Sequence, residues 1–171
     1  LLAAQNKSVS CAGTFLEYDG VEDILNINAT FYNVDLGFTS SSSDNRSAHY
    51  TNTSCSFSNN IGSEQEYNCS FSLDYYAANG TWECEVNIVD NNDSVSSFTS
   101  DIQVNTLTAI GVSSELAEFG QIQVTGTSPN IPIGIVNYGN IDLDMEVFAY
   151  ATQEDDEIAL LCDVGQIPLE N

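Results

Sequence analysis

The sequence predicts an all-β chain made of antiparallel sandwiches. Three observations carry that prediction. Apolar residues recur at every second position, clusters of Asn, Asp, Ser and Gly punctuate the runs, and four cysteines share the apolar faces. Helical periodicity is hard to find anywhere in the 171 residues.

The first inward face is Val9, Cys11, Gly13 and Phe15. Leu25, Ile27, Ala29 and Phe31 form the next, with Asn26, Asn28 and Thr30 on the wet side. Cys55 shares a face with Phe57, and Tyr67, Cys69, Phe71 and Leu73 alternate with Asn68, Ser70 and Ser72. Trp82, Cys84, Val86 and Ile88 alternate with Glu83, Glu85 and Asn87. Turn chemistry separates these runs at Tyr18-Asp19-Gly20, at residues 40–45 and 58–62, at Asn79-Gly80 and at residues 90–93. A strand near 99–105 closes a first domain over residues 1–105.

A second, smaller domain is expected over residues 106–171, where Ser and Asn thin out and aliphatic runs lengthen. Its strands are placed near 107–112, 120–126, 131–137, 141–151 and 157–163. Ile141, Leu143, Met145, Val147 and Ala149 against Asp142, Asp144 and Glu146 give the cleanest alternation in the chain. Pro132 puts the strand of Ile131, Ile133 and Ile135 at an edge. Five strands in so short a segment bury little surface alone. The unit is therefore a compact variant, is cut short, or borrows a strand from another chain by β-augmentation.

Five cysteines occur, at positions 11, 55, 69, 84 and 162, and none forms a C-x-x-C pair. Four lie in the first domain, as expected for two disulfides made in an oxidising compartment. Cys55–Cys69 with Cys11–Cys84 is the favoured pairing, and Cys69–Cys84 across a hairpin is the rival. Cys162 is left as a buried thiol or an intermolecular bridge. No stretch approaches the ~20 apolar residues of a membrane span. The opening Leu1-Leu2-Ala3-Ala4 reads as the tail of a cleaved leader or as an apolar arm.

Seven Asn-x-Ser/Thr acceptors crowd the first 94 residues, at Asn6, Asn28, Asn45, Asn52, Asn68, Asn79 and Asn92, and none follows. The Ser and Thr content there gives about three by chance. The excess predicts an exported chain with N-linked glycans over one half only. The bare half is then the natural place for a partner.

Twenty-five acidic residues face only Lys7 and Arg46, for a formal net charge of −23. Such a surface repels phosphate, which argues against nucleic acid and anionic membranes as partners. The acid excess fits a salty setting, divalent cations, a solvated coat, or repulsion that holds secreted subunits apart until screened.

Catalysis is not expected. The one histidine, His49, is read as a loop residue without partners, and no phosphate loop, H-E-x-x-H or EF-hand pattern occurs. Calcium is the stronger chemical candidate, since it takes hard oxygen ligands clustered in turns. Three clusters qualify: Asp19-Glu22-Asp23, Asp90-Asn91-Asn92-Asp93 and Glu154-Asp155-Asp156-Glu157. Asp and Asn also favour turns for backbone reasons alone. Trp82 beside Tyr75 and Tyr76 reads as a core tryptophan, with a sugar-binding platform as the alternative.

The segment 66–104, above all Tyr75-Tyr76-Ala77-Ala78-Asn79-Gly80-Thr81-Trp82-Glu83-Cys84-Glu85-Val86-Asn87-Ile88-Val89-Asp90-Asn91, resembles PKD and immunoglobulin-like β-sandwiches. With the turn Asn137-Tyr138-Gly139-Asn140, it is also similar to repeats of archaeal cell-surface and surface-layer glycoproteins. The resemblance implies two immunoglobulin-like sandwiches in tandem and a secreted structural module. The expectation is a non-catalytic homopolymer of identical subunits, a filament or surface lattice, assembling through the unglycosylated second domain. Strand donation by an arm of residues 1–9 extends that expectation. A monomeric adhesin or carbohydrate-binding module is the alternative.

Overall fold

The computed structural model describes residues 1–18, 23–61, 63–92, 95–121, 123, 125–146, 160–161 and 166–167. It is all-β and antiparallel. Seven strands build the first part: β1 (Lys7–Leu16), β2 (Ile24–Asn33), β3 (His49–Asn52), β4 (Ser56–Ile61), β5 (Glu64–Leu73), β6 (Gly80–Asp90) and β7 (Val95–Val104). They form two sheets, in the orders β1-β5-β4 and β3-β2-β6-β7.

The apolar faces of these sheets enclose one core. Tyr67, Cys69, Phe71 and Leu73 of β5 meet Ile27, Ala29 and Phe31 of β2 and Trp82, Cys84, Val86 and Ile88 of β6. Each large apolar side chain buried this way contributes about 1.5–3 kcal/mol. Phe31 lies between the sheets, its ring centroid 5.6 Å from Phe71 and 4.9 Å from Trp82. Trp82 is 0% exposed, and its indole N–H donates to the Ala78 carbonyl at 2.8 Å. That burial rules out Trp82 as a sugar platform and makes it the centre of the core.

Cys11 of β1 bonds to Cys84 of β6, crossing from one sheet to the other. Cys55 bonds to Cys69 and anchors the entry to β4 on β5. Leu25 departs from its expected face. The register of β2 against β6 slips between Ile24 and Asn26, and this irregularity leaves Leu25 exposed while Ile27, Ala29 and Phe31 stay inward.

Residues 34–48 cap the edge beside β3. Fully buried Asn33 organises the cap: its Oδ1 accepts from the Leu36 amide at 3.0 Å, and its Nδ2 donates to the Asn79 carbonyl at 3.1 Å. Gly80 opens β6 at a φ of +126°, and a Cβ there would meet the Asp35 carboxylate at 2.7 Å, so the Asn79-Gly80-Thr81 acceptor requires its glycine.

After β7 the architecture changes. The described residues form β8 (Ile110–Val112) with β9 (Ile135–Asn137), and β10 (Leu160–Leu161) with β11 (Gln166–Ile167). Of the strands expected near 120–126 and 141–151, the described positions pair with nothing. A run that alternates forms a strand only where another edge takes its hydrogen bonds, and three-residue ladders offer little.

The Asn137-Tyr138-Gly139-Asn140 turn ties this part to the sandwich. Asn140 Nδ2 donates to the carbonyls of Ala77 (2.9 Å) and Asn105 (3.1 Å), while its Oδ1 accepts from the Leu107 amide at 2.6 Å. Tyr138 packs edge-on against Tyr75, with centroids 5.9 Å apart. Gly139 fits against the chain at Leu107, where a Cβ would sit 2.2 Å from the carbonyl oxygen.

Candidate glycan-bearing surface and assembly face

The seven Asn-x-Ser/Thr asparagines stand around the sandwich, and none is buried. Asn68 projects from the outer face of β5 opposite Ala12, and Asn6, at the far end of the same ladder, donates to the Ser72 hydroxyl at 3.3 Å. Asn28 and Asn52 are half-buried on β2 and β3, and Asn52 Nδ2 donates to the Ser70 carbonyl at 2.8 Å. Asn45 accepts from the amide and hydroxyl of Ser47, at 3.0 and 2.7 Å. Asn79 and Asn92 occupy exposed turns at either end of β6. The contrast is Asn33, which lies outside any acceptor triplet and is the one fully buried asparagine among the described residues.

Two of the acidic clusters meet in space. Asp23 and the turn after β6 join where the Asn91 amide donates to the Asp23 carbonyl at 2.8 Å. Asn91 Nδ2 and Asn92 Nδ2 donate to the two Asp23 carboxylate oxygens at 3.0 and 3.4 Å. Asp90 accepts from the Asn92 amide at 2.8 Å. These carboxylates receive protein amides, the role that turn chemistry gives Asp. Among the described residues no three His, Cys, Asp or Glu side chains gather as a metal site. Asp19, Glu22, Asp93, Glu154, Asp155, Asp156, Glu157 and Cys162 lie outside the described residues.

His49 is not a loop residue. It sits on β3, 1% exposed, stacked on Tyr32 with centroids 6.0 Å apart, and Nδ1 lies 3.0 Å from Asp44. Its Nε2 meets no partner among the described residues. On the same outer face the Tyr32 hydroxyl donates to Glu83 and, at 3.4 Å, to Glu85. Burial first, and then Glu83, push its pKa well up. Nearby, Arg46 binds Asp74 through two nitrogens, at 2.7 and 3.0 Å, and Tyr50 closes over the pair. This polar cluster was not legible in the sequence, because Asp74 lies 24 positions from Tyr50 and 28 from Arg46.

The trailing part presents the opposite surface. Among the described residues from 107 to 146, Gly139 alone is buried. Ile110, Val112, Leu116, Phe119, Ile133 and Met145 are all exposed. Ile110, Ile135, Leu143 and Met145 line an apolar cavity of about 450 Å³. Contiguous exposed apolar surface on a folded chain marks an interaction site. No helix among the described residues is long and apolar enough to cross a membrane. No known family model, curated protein or solved structure matches the chain.

Proposed function

We propose that this chain is a non-catalytic structural subunit of an extracellular filament or surface lattice of archaeal type. Its leading sandwich carries N-linked glycans at the seven acceptors, and its trailing part makes the contacts between identical subunits. One observation carries the reading: acceptors, none of them buried, ring the leading part, whereas the exposed large apolar side chains of residues 107–146 have no acceptor near them in sequence. Glycans are bulky and hydrated, so an interface forms where they are absent.

The strand order supports an immunoglobulin-like reading of the leading part. Sheets β1-β5-β4 and β3-β2-β6-β7 correspond to strands B-E-D and C′-C-F-G of that architecture. The β1–β6 disulfide corresponds to its bridge between B and F. Two departures stand out. Phe31 occupies strand C, where antibody domains carry tryptophan, and among the described residues no strand stands in the place of strand A. The two disulfides favour an oxidising, extracellular setting.

An N-terminal donor arm would be shorter than residues 1–9. Residues 7–9 begin β1 and pair with β5, which leaves 1–6 for donation. The test is light scattering of the purified chain across salt and calcium concentrations, with intact mass before and after deglycosylation. Glycosylated chains that polymerise as salt screens their charge support the reading. A monomer that binds sugars favours an adhesin instead.

A further inference from the structure

We propose that the leading sandwich accepts a β-strand along the free edge of β1, and that the occupant is the acidic segment 141–146 of a second copy. This rests on the assembly reading above and names the surface and the segment that would carry it.

The vacancy is geometric. Among the described strands β1 pairs with β5 alone, so every second residue of its other edge aims its N–H and C=O at no strand. The facing sheet has four strands against three. The Cys11–Cys84 bridge sets β1 over β6, so β7, the next strand out, projects past β1. Phe98 and Ile102 of β7 pair with Val86 and Trp82, and so point to the core side. Yet they are 40% and 46% exposed, while Val86 and Trp82 are 2% and 0% exposed. At one end the gap widens into a cavity of about 100 Å³, where Phe15, Leu16, Ile24, Ile88 and Phe98 meet the acidic Glu17 and Asp90. A strand laid beside β1 would take its open hydrogen bonds and cover Phe98 and Ile102 together.

The occupant follows from pattern and charge. Ile141, Leu143 and Met145 supply an apolar side at strand spacing, and Asp142, Asp144 and Glu146 supply the other. That alternation pairs with no strand among the described residues of its own chain, where Leu143 and Met145 lie beside Ile110 and Ile135 and Met145 is 59% exposed. In a chain of −23, an acidic strand needs an edge without carboxylates. β1 itself offers one: Lys7, Ser8, Ser10, Ala12 and Thr14 include no acid and one of the two cationic side chains, while the nearest carboxylates, Glu17 and Asp90, gather at the Phe15 end, so the donor's acidic side is placed toward Lys7. Donor and acceptor are different surfaces, so each copy can give and receive at once, and the contact propagates into an open chain.

The test uses the full chain and light scattering at raised NaCl. Phe98→Glu with Ile102→Glu blocks the slot, and Leu143→Asp with Met145→Asp spoils the donor. Intact disulfides by mass and unchanged far-UV spectra confirm that each variant folds. Each is expected to weaken self-association about 30-fold or more, the loss typical of a buried anchor. A mixture of the two is expected to stop at one-to-one pairs, since one retains only its slot and the other only its donor. Either variant polymerising like the parent overturns the proposal. Loss of assembly on deleting residues 1–6, with Leu143→Asp and Met145→Asp harmless, assigns the slot to the N-terminal arm and overturns the occupant. A parent chain that stays monomeric at every salt and calcium concentration overturns the assembly reading as well.

Discussion

Residues 7–104 and 107–146 share an alternating pattern and end in different states. The leading part closes two sheets over Trp82, whereas the trailing part leaves Ile110, Val112 and Met145 in solvent. What separates them is not hydrophobicity but the presence of a facing sheet and a covalent staple. Alternation says which side of a strand is apolar, and only a second layer turns that side into a core. The leading part has both layers in one chain. The trailing part, in the present reading, finds its second layer in a neighbour.

The sharpest way to break the comparison is to remove the staple. Cys11→Ser with Cys84→Ser opens a loop of 73 residues and is expected to cost the leading sandwich about 4.5 kcal/mol, read by denaturant unfolding. Trp82→Ala follows at about 4 kcal/mol, because it empties a closed site between Phe31 and Tyr50. Neither is expected to alter the trailing part, and matching losses there would show that the two regions fold as one.

Smaller effects probe the junction and the free face. Asn140→Ala removes three hydrogen bonds and is expected to cost about 1–2 kcal/mol, seen as faster amide exchange at Leu107. Val112→Ser and Ile135→Ser are each expected to change monomer stability by under ~0.5 kcal/mol, since both side chains are already wet. Their effect is expected in assembly, by light scattering. An equal and large loss of monomer stability would place these residues in a core.

A last, weaker effect concerns alkali. Burial, above all, pushes the Tyr50 hydroxyl from 10.0 up to about 12, the Asp74 amide that donates to it opposing the rise and the Asp74 carboxylate adding to it. The folded state therefore holds this proton more tightly than the unfolded chain. The stability it contributes is complete below pH 10 and is lost as pH rises toward 12. Tyr50→Phe is expected to flatten that part of the stability profile, with the trailing part unaffected.

Most of the leading core was legible in the sequence because strand faces follow a strict period of two. Phe71, Trp82, Val86 and Ile88 needed no knowledge of partners to be placed inward. Leu25 was misplaced because one register slip reverses a face, and a slip depends on the neighbouring strand. His49 was misread because its burial depends on Tyr32 and on the cap above it, contacts that local composition does not encode. The meeting of Asp23 with Asn91 and Asn92 was hidden by separations of 68 and 69 positions along the chain. Residues 120–121 and 141–146 alternate in sequence yet form no strand, because alternation does not supply a pairing edge, while 147–151, 157–159 and 162–163 of the expected strands lie outside the described residues.

The disulfide from β1 to β6 has a mechanical consequence. β6 is a central strand, paired along its length with β2 and β7, while β1 borders the gap. Tension arriving at the rim of the sandwich is handed through a covalent bond to its best-braced member. Under load the sandwich would keep its shape, and extension would be borne by the thinly bonded described residues of 107–146. A cable of such units would combine stiff beads with yielding joints.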